Sequence, residues 1–316
     1  MAIDTTQPRR VVVLGKNRLA VECLPLIQSC GDQIVLAMPE PGDDGQAGWQ
    51  PSFRASASAA GVPILQPEDL NAQEVIDAIS ATNPEFLLSF QAGQILRRAL
   101  LSVPILGAWN VHFGSLPRYR GVAPIAWAII NGERATGVTL HRIDPGVDSG
   151  AILATGDVPI AREDTGRSLY EKCTDAGIQL FGEWWPRLRI GAVETRPQES
   201  AEALYYNRHS IDFSVRAISW RSDCEAIANH ARALIFPPFQ YPIIRLGSQE
   251  LEIRRFSWDR QPHRGRPGEI LATEPPTIIV GAPGGRILLE ELASDGQVVL
   301  TPDHARLGLV AGAILS

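Results

Sequence analysis

With 316 residues, 45% of them hydrophobic and 20% charged, the chain can build two domains around sizeable cores and is too apolar for a disordered protein. No apolar run approaches the roughly 20 residues of a membrane span, and Met1 to Arg10 is polar with no signal-peptide core, so a cytoplasmic protein without a membrane partner is expected. The formal net charge of -6 gives no sign of a basic face for a polyanion, and Cys23, Cys30, Cys173 and Cys224 are too scattered for a disulfide framework or a zinc site, so no metal is expected.

In chain order, Arg10 to Gly15 is an apolar strand, Arg18 to Ser29 a helix, Gln33 to Met38 a strand, and Pro63 to Leu65 a third strand after a polar, Gly-rich loop. Asn71-Ala72-Gln73-Glu74 has the form of a capping box and opens a helix to about Ala81. Glu85 to Ser89 is the next strand, followed by a Gly-containing turn into a helix beginning near Gln94. Gly107 to Val111 and Gly137 to Ile143 are two more strands. Such alternation argues for an α/β domain with a parallel, Rossmann-like sheet, whose ligands bind beyond the carboxyl ends of the strands. A nicotinamide dinucleotide is not expected, because the first strand runs into Gly15-Lys16-Asn17-Arg18-Leu19-Ala20, with one glycine where pyrophosphate binding needs three.

A long helix from Asp164 to about Arg189 closes this part, and the polar stretch Glu194 to Glu202 reads as a linker, which places the domains at 1–200 and 201–316. Ser222-Asp223-Cys224-Glu225 is a second capping box, for a helix to about Leu234 that Phe236-Pro237-Pro238 breaks. Short β-rich runs at 243–246, 251–257, 269–272, 277–280 and 286–291, separated by Gly and Pro turns, suggest a small open barrel. Trp220, Phe236, Phe239 and Tyr241 suit its buried core and a homodimer surface equally well.

Two stretches hold the chemistry. In Trp109-Asn110-Val111-His112-Phe113-Gly114-Ser115-Leu116-Pro117-Arg118-Tyr119-Arg120-Gly121, a strand end delivers Asn110 and His112 to the same side of a loop. In Thr136 to Gly150, a strand and an Asp144-Pro145-Gly146 turn deliver Asp148. The three side chains converge only if the two strands are neighbours. An amide and an imidazole facing a developing oxyanion, with a carboxylate that favours the charged imidazole, suit acyl transfer to an amine without a Ser or Cys nucleophile. A lone Asn-x-His is more often a turn cap; the added Leu-Pro-x-Tyr-Arg-Gly and Asp-Ser-Gly shift the reading. The other histidines lack this setting, and strand alternation gives His141 little claim to face a ligand.

These residues resemble the 10-formyltetrahydrofolate-dependent formyltransferase family, whose signature is Asn-x-His-x-Ser-Leu-Leu-Pro, Arg-Gly-x-x-Pro, Thr-Gly-x-Thr and Asp-x-Gly. The resemblance implies an N-formyltransferase in which Asn110 and His112 polarise the formyl group and Asp148 supports His112 and the proton transfer, and it implies an OB-like C-terminal domain. Gly114 departs from the signature, standing where the family has Ser. It also implies that 10-formyltetrahydrofolate lies against Ser89, Phe90, Gln94, Ile95 and Leu96, joined by Ile143 and Asp144, with fixed backbone groups reading the flat pterin. A folate-binding protein without activity is a minor alternative, because such relatives usually lose part of the triad.

For the acceptor, the run Arg118-Tyr119-Arg120 looks like that of sugar-nucleotide formyltransferases. Arg118 and Arg120 could grip a diphosphate, and Tyr206 and Arg208 could hold a nucleobase, so an amino sugar linked to a nucleoside diphosphate is the expected substrate. Bracing of the catalytic loop by the two arginines is the plainer alternative. Methionyl-tRNA is the runner-up: residues 201–316 hold 12 Arg against 13 acidic residues, and the early loop from Pro39 to Arg54 carries Asp43 and Asp44 with a single Arg. An amino-acid or peptide amine is the third possibility.

Overall fold

The computed structural model describes residues 7–316. By contacts it divides into two units. One holds the residues up to Pro124 with Ala135–Pro159 and Glu171–Arg208; the other holds Ile125–Arg134, Ile160–Tyr170 and His209–Ser316. Two short segments, Ile125–Arg134 and Ile160–Tyr170, pack with the second unit, whose main body starts at His209.

In the first unit the elements are β1 (Arg10–Gly15), α1 (Asn17–Ser29), β2 (Gln33–Pro39), α2 (Phe53–Ala59), α3 (Gln73–Ala81), β3 (Phe86–Phe90), α4 (Arg98–Leu101), β4 (Ala108–His112) and β5 (Arg120–Gly121). After α5 (Pro124–Ile130), which falls in the second unit but for its first residue, come β6 (Ala135–Arg142), β7 (Ile152–Pro159), α6 (Gly166–Leu188), in the first unit from Glu171 on, and β8 (Tyr205–Tyr206). One sheet runs β2-β1-β3-β4-β6-β7, and β5 pairs with β8 apart from it. The first four strands are parallel while β6 and β7 are antiparallel, so the sheet is mixed where a parallel one was expected. β1 and β3 are apolar and buried along nearly their whole length, as strands covered on both faces must be.

The two faces of β4 differ in what covers them. Leu87 and Ala108 belong to the cluster that packs on Val75, Ile76 and Ile79 of α3. Val111 faces α6, where a Cβ added at Gly177 would sit 3.2 Å from its Cγ1, so the missing side chain lets the helix lie close. Alternation then puts Ala108, Asn110 and His112 on the face away from α6.

Four local expectations need correction. Pro63–Leu65 makes only an isolated bridge, Ile64 to Ala37, since Pro63 has no N–H to extend a ladder. Asn71 caps nothing: α3 starts at Gln73 behind Ala72, and the Asn71 side chain instead accepts from Arg97 N (2.7 Å) and donates to Ile95 O (3.0 Å). Those bonds hold 95–97 out of a helix, and α4 begins only at Arg98. The cap of the later helix is Asp223, which accepts from Glu225 N (2.9 Å), and not Ser222.

The second unit adds α7 (Cys224–Leu234), β9 (Ile243–Leu246), β10 (Gln249–Asp259), β11 (Ile270–Glu274), β12 (Thr277–Ala282), β13 (Gly285–Ser294), β14 (Gln297–Val298) and α8 (Thr301–Arg306). Its antiparallel sheet runs β11-β12-β13-β10-β9, with β14 beside β13, and its inward residues Ile253, Ile278, Val280, Ile287 and Leu289 pack with Ile227 and Ala231 of α7. This is the β-rich domain expected. Trp220 lies in its core, whereas Phe239 is 63% exposed.

One buried polar cluster ties the first unit together at the edge opposite the strands' carboxyl ends. The Asp32 carboxylate, fully buried, accepts from Arg9 N (2.8 Å), Trp185 Nε1 (3.0 Å) and Arg189 Nη2 (2.6 Å). Its removal strands the Arg189 charge and an indole N–H. Asp32→Ala is expected to lower the unfolding free energy by about 3–5 kcal/mol in urea titrations, and a loss below 1 kcal/mol would show the cluster to be dispensable.

Candidate active site

Antiparallel pairing of β4 with β6 sets Asn110 opposite His141 and His112 opposite Thr139. Opposed residues in such a pair share a face, so all four side chains gather at the carboxyl end of β4. Thr139, fully buried, donates through Oγ1 to Gly114 O (2.6 Å) and accepts from Leu116 N (3.3 Å), which pins the loop that follows His112. After β6 the chain turns at Asp144, whose Oδ1 accepts from Ser149 Oγ (2.7 Å) and Gly146 N (3.1 Å), and returns with Asp148. A side chain at Gly150 would overlap the Arg142 carbonyl, so the Asp-x-Gly spacing is a matter of space. Asp148 has φ +48°, in the left-handed region that non-glycine residues rarely occupy.

The convergence anticipated for Asn110, His112 and Asp148 is present, with His141 as a fourth member. His112 Nδ1 lies 3.6 Å from Asp148 Oδ2, longer than a formed hydrogen bond, while its Nε2 donates to Tyr119 O at 2.8 Å. His141 Nδ1 donates to Arg142 O (2.9 Å), which leaves Nε2 as a lone pair that accepts from Asn110 Nδ2 at 3.1 Å. The second Nδ2 hydrogen of Asn110 remains for another acceptor. Asp148 Oδ1 is 3.6 Å from His141 Nε2, and its Oδ2 accepts from Gly121 N at 2.9 Å. Gly114 also has a reason to be small: a Cβ there would stand 2.8 Å from His112 Nε2 and 3.1 Å from Tyr119 O, so the family's Ser would displace this imidazole.

The electrostatics separate the two imidazoles. Burial pushes His141 down to about 4; the Asp148 carboxylate pulls the other way and His112 adds to the lowering, so His141 is neutral near pH 7. For Asp148, burial opposes ionisation, but His112, His141, the Gly121 N–H and Arg120 together outweigh it and hold its carboxyl below the usual range. Sequence reading passed over His141; the strand register was the missing information.

Of the residues expected along the folate, Ser89 is the register partner of Asn110. Phe90 turns to the α6 side, edge-on to Phe181, and its carbonyl accepts from Lys16 N. The Gln94 amide is occupied, accepting from Leu70 N (3.0 Å) and donating to Glu68 O (2.9 Å). Leu96 belongs to the core cluster against which Ile143 packs, and Ile95 is 58% exposed. Among the acceptor residues, the exposed Arg118 lies over the Tyr119 ring, Tyr119 stacks on Tyr206 at 5.9 Å, and Arg208 is exposed. Arg120 is braced: Nε and Nη2 both donate to Gln198 Oε1 (3.0 and 2.7 Å). Among the described residues no group of three or more His, Cys, Asp and Glu could hold a metal ion, and no helix is long and apolar enough to cross a membrane.

Residues 10–183 match the formyl transferase family and residues 211–305 its C-terminal domain. The chain is 32% identical over 291 residues to methionyl-tRNA formyltransferase of Citrifermentans bemidjiense, covering 91% of this chain and 90% of the relative. It is 30% identical to that of Geobacter metallireducens, covering 91% of each. Among solved structures, a sugar 3N-formyl transferase determined with dTDP and 5-N-formyl-THF superposes with a TM-score of 0.74 at 24% identity, over 92% of this chain and 99% of the other. The Helicobacter canadensis N-formyltransferase, in complex with folinic acid and dTDP-3-aminofucose, gives 0.73 at 24% identity, over 90% and 99%. The chain belongs to the formyltransferase family. It is an N-formyltransferase with the family's donor, 10-formyltetrahydrofolate.

The lowered His141 value fixes a pH dependence. From the ordinary value near 6.5 down to about 4, the unfolded chain takes up a proton at this residue that the folded chain refuses, so stability falls as pH drops through that window. His230 and His304, lowered by burial, act in the same direction. In urea unfolding at pH 7 and pH 5, His141→Asn is expected to lose less stability between the two than the wild type; an equal loss would show that His141 is not held neutral.

Proposed function

We propose that Asn110, His112 and Asp148 carry the transfer of the formyl group to a primary amine of the acceptor. The supporting observation is the set of groups around one point: a free Asn110 amide hydrogen and the His112 imidazole as donors and, beside them, the ionised Asp148 as acceptor. As the amine attacks the formyl carbon, Asn110 Nδ2 and His112 Nε2 donate to the oxygen on which charge develops. His112 leaves the Tyr119 carbonyl to do so, a short swing that exchanges one acceptor for another. Asp148 offsets the charge on the attacking nitrogen, takes its proton and passes it to His112 Nδ1 as His112 Nε2 gives one to the departing nitrogen, so that both groups end the step as they began it.

The donor would lie along Ser89 beside Asn110, the backbone of Phe90 and of Gln94 to Leu96, and Ile143 with Asp144. With the Gln94 amide already committed, main-chain groups are the available readers of a pterin.

For the acceptor, the 28–32% identity to methionyl-tRNA formyltransferases over nine-tenths of the chain supports methionyl-tRNA more directly than any other finding. One observation favours a second reading, the nucleotide-linked amino sugar expected from the sequence. The early loop folds on itself around Asp43, which accepts from Ser52 Oγ and the backbone N–H groups of Gly45 and Arg54, and it lines a pocket with Glu40, Asp43, Asp44 and Trp49, where Lys16 is paired to Glu40. A wall of carboxylates repels a tRNA backbone, whereas a small acceptor held at the catalytic loop need not approach it. Arg118, Tyr206 and Arg208 would then meet the nucleotide, with Arg120 bracing the loop.

Tetrahydrofolate release from 10-formyltetrahydrofolate, measured with charged initiator tRNA, a panel of amino-sugar nucleotides and free amino acids, tests both. Turnover with the tRNA alone supports the first acceptor, and turnover with a sugar nucleotide alone supports the second. Release that no amine stimulates would contradict amine formylation.

A further inference from the structure

Resting on the formyl-transfer reading, we propose that Gln198 is a positioning residue for Asp148, acting from the segment that sequence alone reads as a linker. Arg196 and Ile152 exchange both backbone hydrogen bonds as an antiparallel bridge, N to O at 2.9 and 2.8 Å, at the first residue of β7. Two residues on, that register brings Gln198 alongside Gly150. Its Nε2 donates to Gly150 O (2.6 Å) and Asp148 O (2.9 Å), while its Oε1 accepts from Arg120 Nε (3.0 Å) and Nη2 (2.7 Å). Both donors and both lone pairs of one amide are thereby used.

The two ends of this amide hold the two sides of the carboxylate. On one side is the backbone of Asp148 itself, in the left-handed region that non-glycine residues rarely occupy. On the other is Arg120, whose neighbour Gly121 gives the N–H that fixes Asp148 Oδ2 at 2.9 Å. The strand pair β5 and β8 supports the same loop, Arg120 beside Tyr205 and Gly121 beside Tyr206, and a side chain at Gly121 would overlap the Tyr206 carbonyl. The hydrogen bonds of Gln198 go to Asp148, Gly150 and Arg120 and not to His112 or Asn110, so the groups it holds are those that frame the carboxylate. Only an uncharged amide suits the place: a carboxylate could hold Arg120 but could not donate to two carbonyls, and an ammonium could donate but would repel Arg120.

Two measurements test this. The first needs no acceptor: the Asp148 carboxyl carbon, assigned by its disappearance in Asp148→Asn, is titrated by NMR in the wild type and in Gln198→Ala. Positioning by Gln198 predicts a midpoint that moves up in the variant, as the Gly121 N–H and the imidazoles lose their grip; an unmoved midpoint overturns it. The second is a double-mutant cycle on formyl-transfer turnover, with thermal melting as a check on folding. Gln198→Ala is expected to lower kcat by about 10-fold or more with a KM for 10-formyltetrahydrofolate near that of the wild type. In Gln198→Ala/Asp148→Asn the rate is expected to match Asp148→Asn alone, whereas independent losses that multiply would overturn the proposal. Should Gln198→Ala fail to fold, Gln198→Met, of similar length and without the amide, takes its place in both measurements. A protein that formylates nothing but shows the shifted midpoint refutes the formyl-transfer reading and leaves the positioning intact.

Discussion

The site depends on the pairing of β4 with β6. A parallel neighbour would need a crossover and would present its far end at this edge. An antiparallel one lays its own residues directly opposite Asn110 and His112. That register supplies His141 to orient the Asn110 amide and Thr139 to pin the loop after His112. It also ends β6 where a short turn can return Asp148 to the same point. Shifting the register by one residue would turn His141 and Thr139 to the other face and leave the amide without its partner.

Around this frame the chain keeps polar groups in place mainly by backbone contacts. Tyr119 O accepts from His112, Arg142 O from His141, and Gly121 N serves Asp148. Such partners do not rotate away, so the geometry survives the burial that makes each group expensive to leave unpaired. Burial also separates two residues of one type. His141, hydrogen-bonded through Nδ1 and nearly sealed from solvent, stays neutral as an acceptor, while His112 faces the ionised carboxylate. One imidazole serves as scaffold and the other is placed for proton transfer.

The longer core strands of both units were legible because their apolar runs are bounded by glycine or proline, and the triad was legible because its spacing matches a family signature. Residues whose partners lie far along the chain were not. His141 looks like an interior strand residue until its register partner is known, and Gln198 looks like linker until the Arg196–Ile152 bridge puts it beside Gly150. β7 went unread because Gly156, Asp157 and Pro159 give it a polar, broken pattern, which an edge strand tolerates. The Asn71 box failed for a different reason: its side chain satisfies the loop at 95–97 in preference to its own helix, a competition that local pattern cannot decide.

The most direct test of formyl transfer through this constellation is the turnover of His112→Ala, measured in the 10-formyltetrahydrofolate assay with an acceptor that the wild type formylates. Loss of an oxyanion donor and proton carrier predicts a fall on the order of 100- to 1,000-fold with the fold intact by circular dichroism. A variant that turns over near the wild-type rate would contradict catalysis by this imidazole.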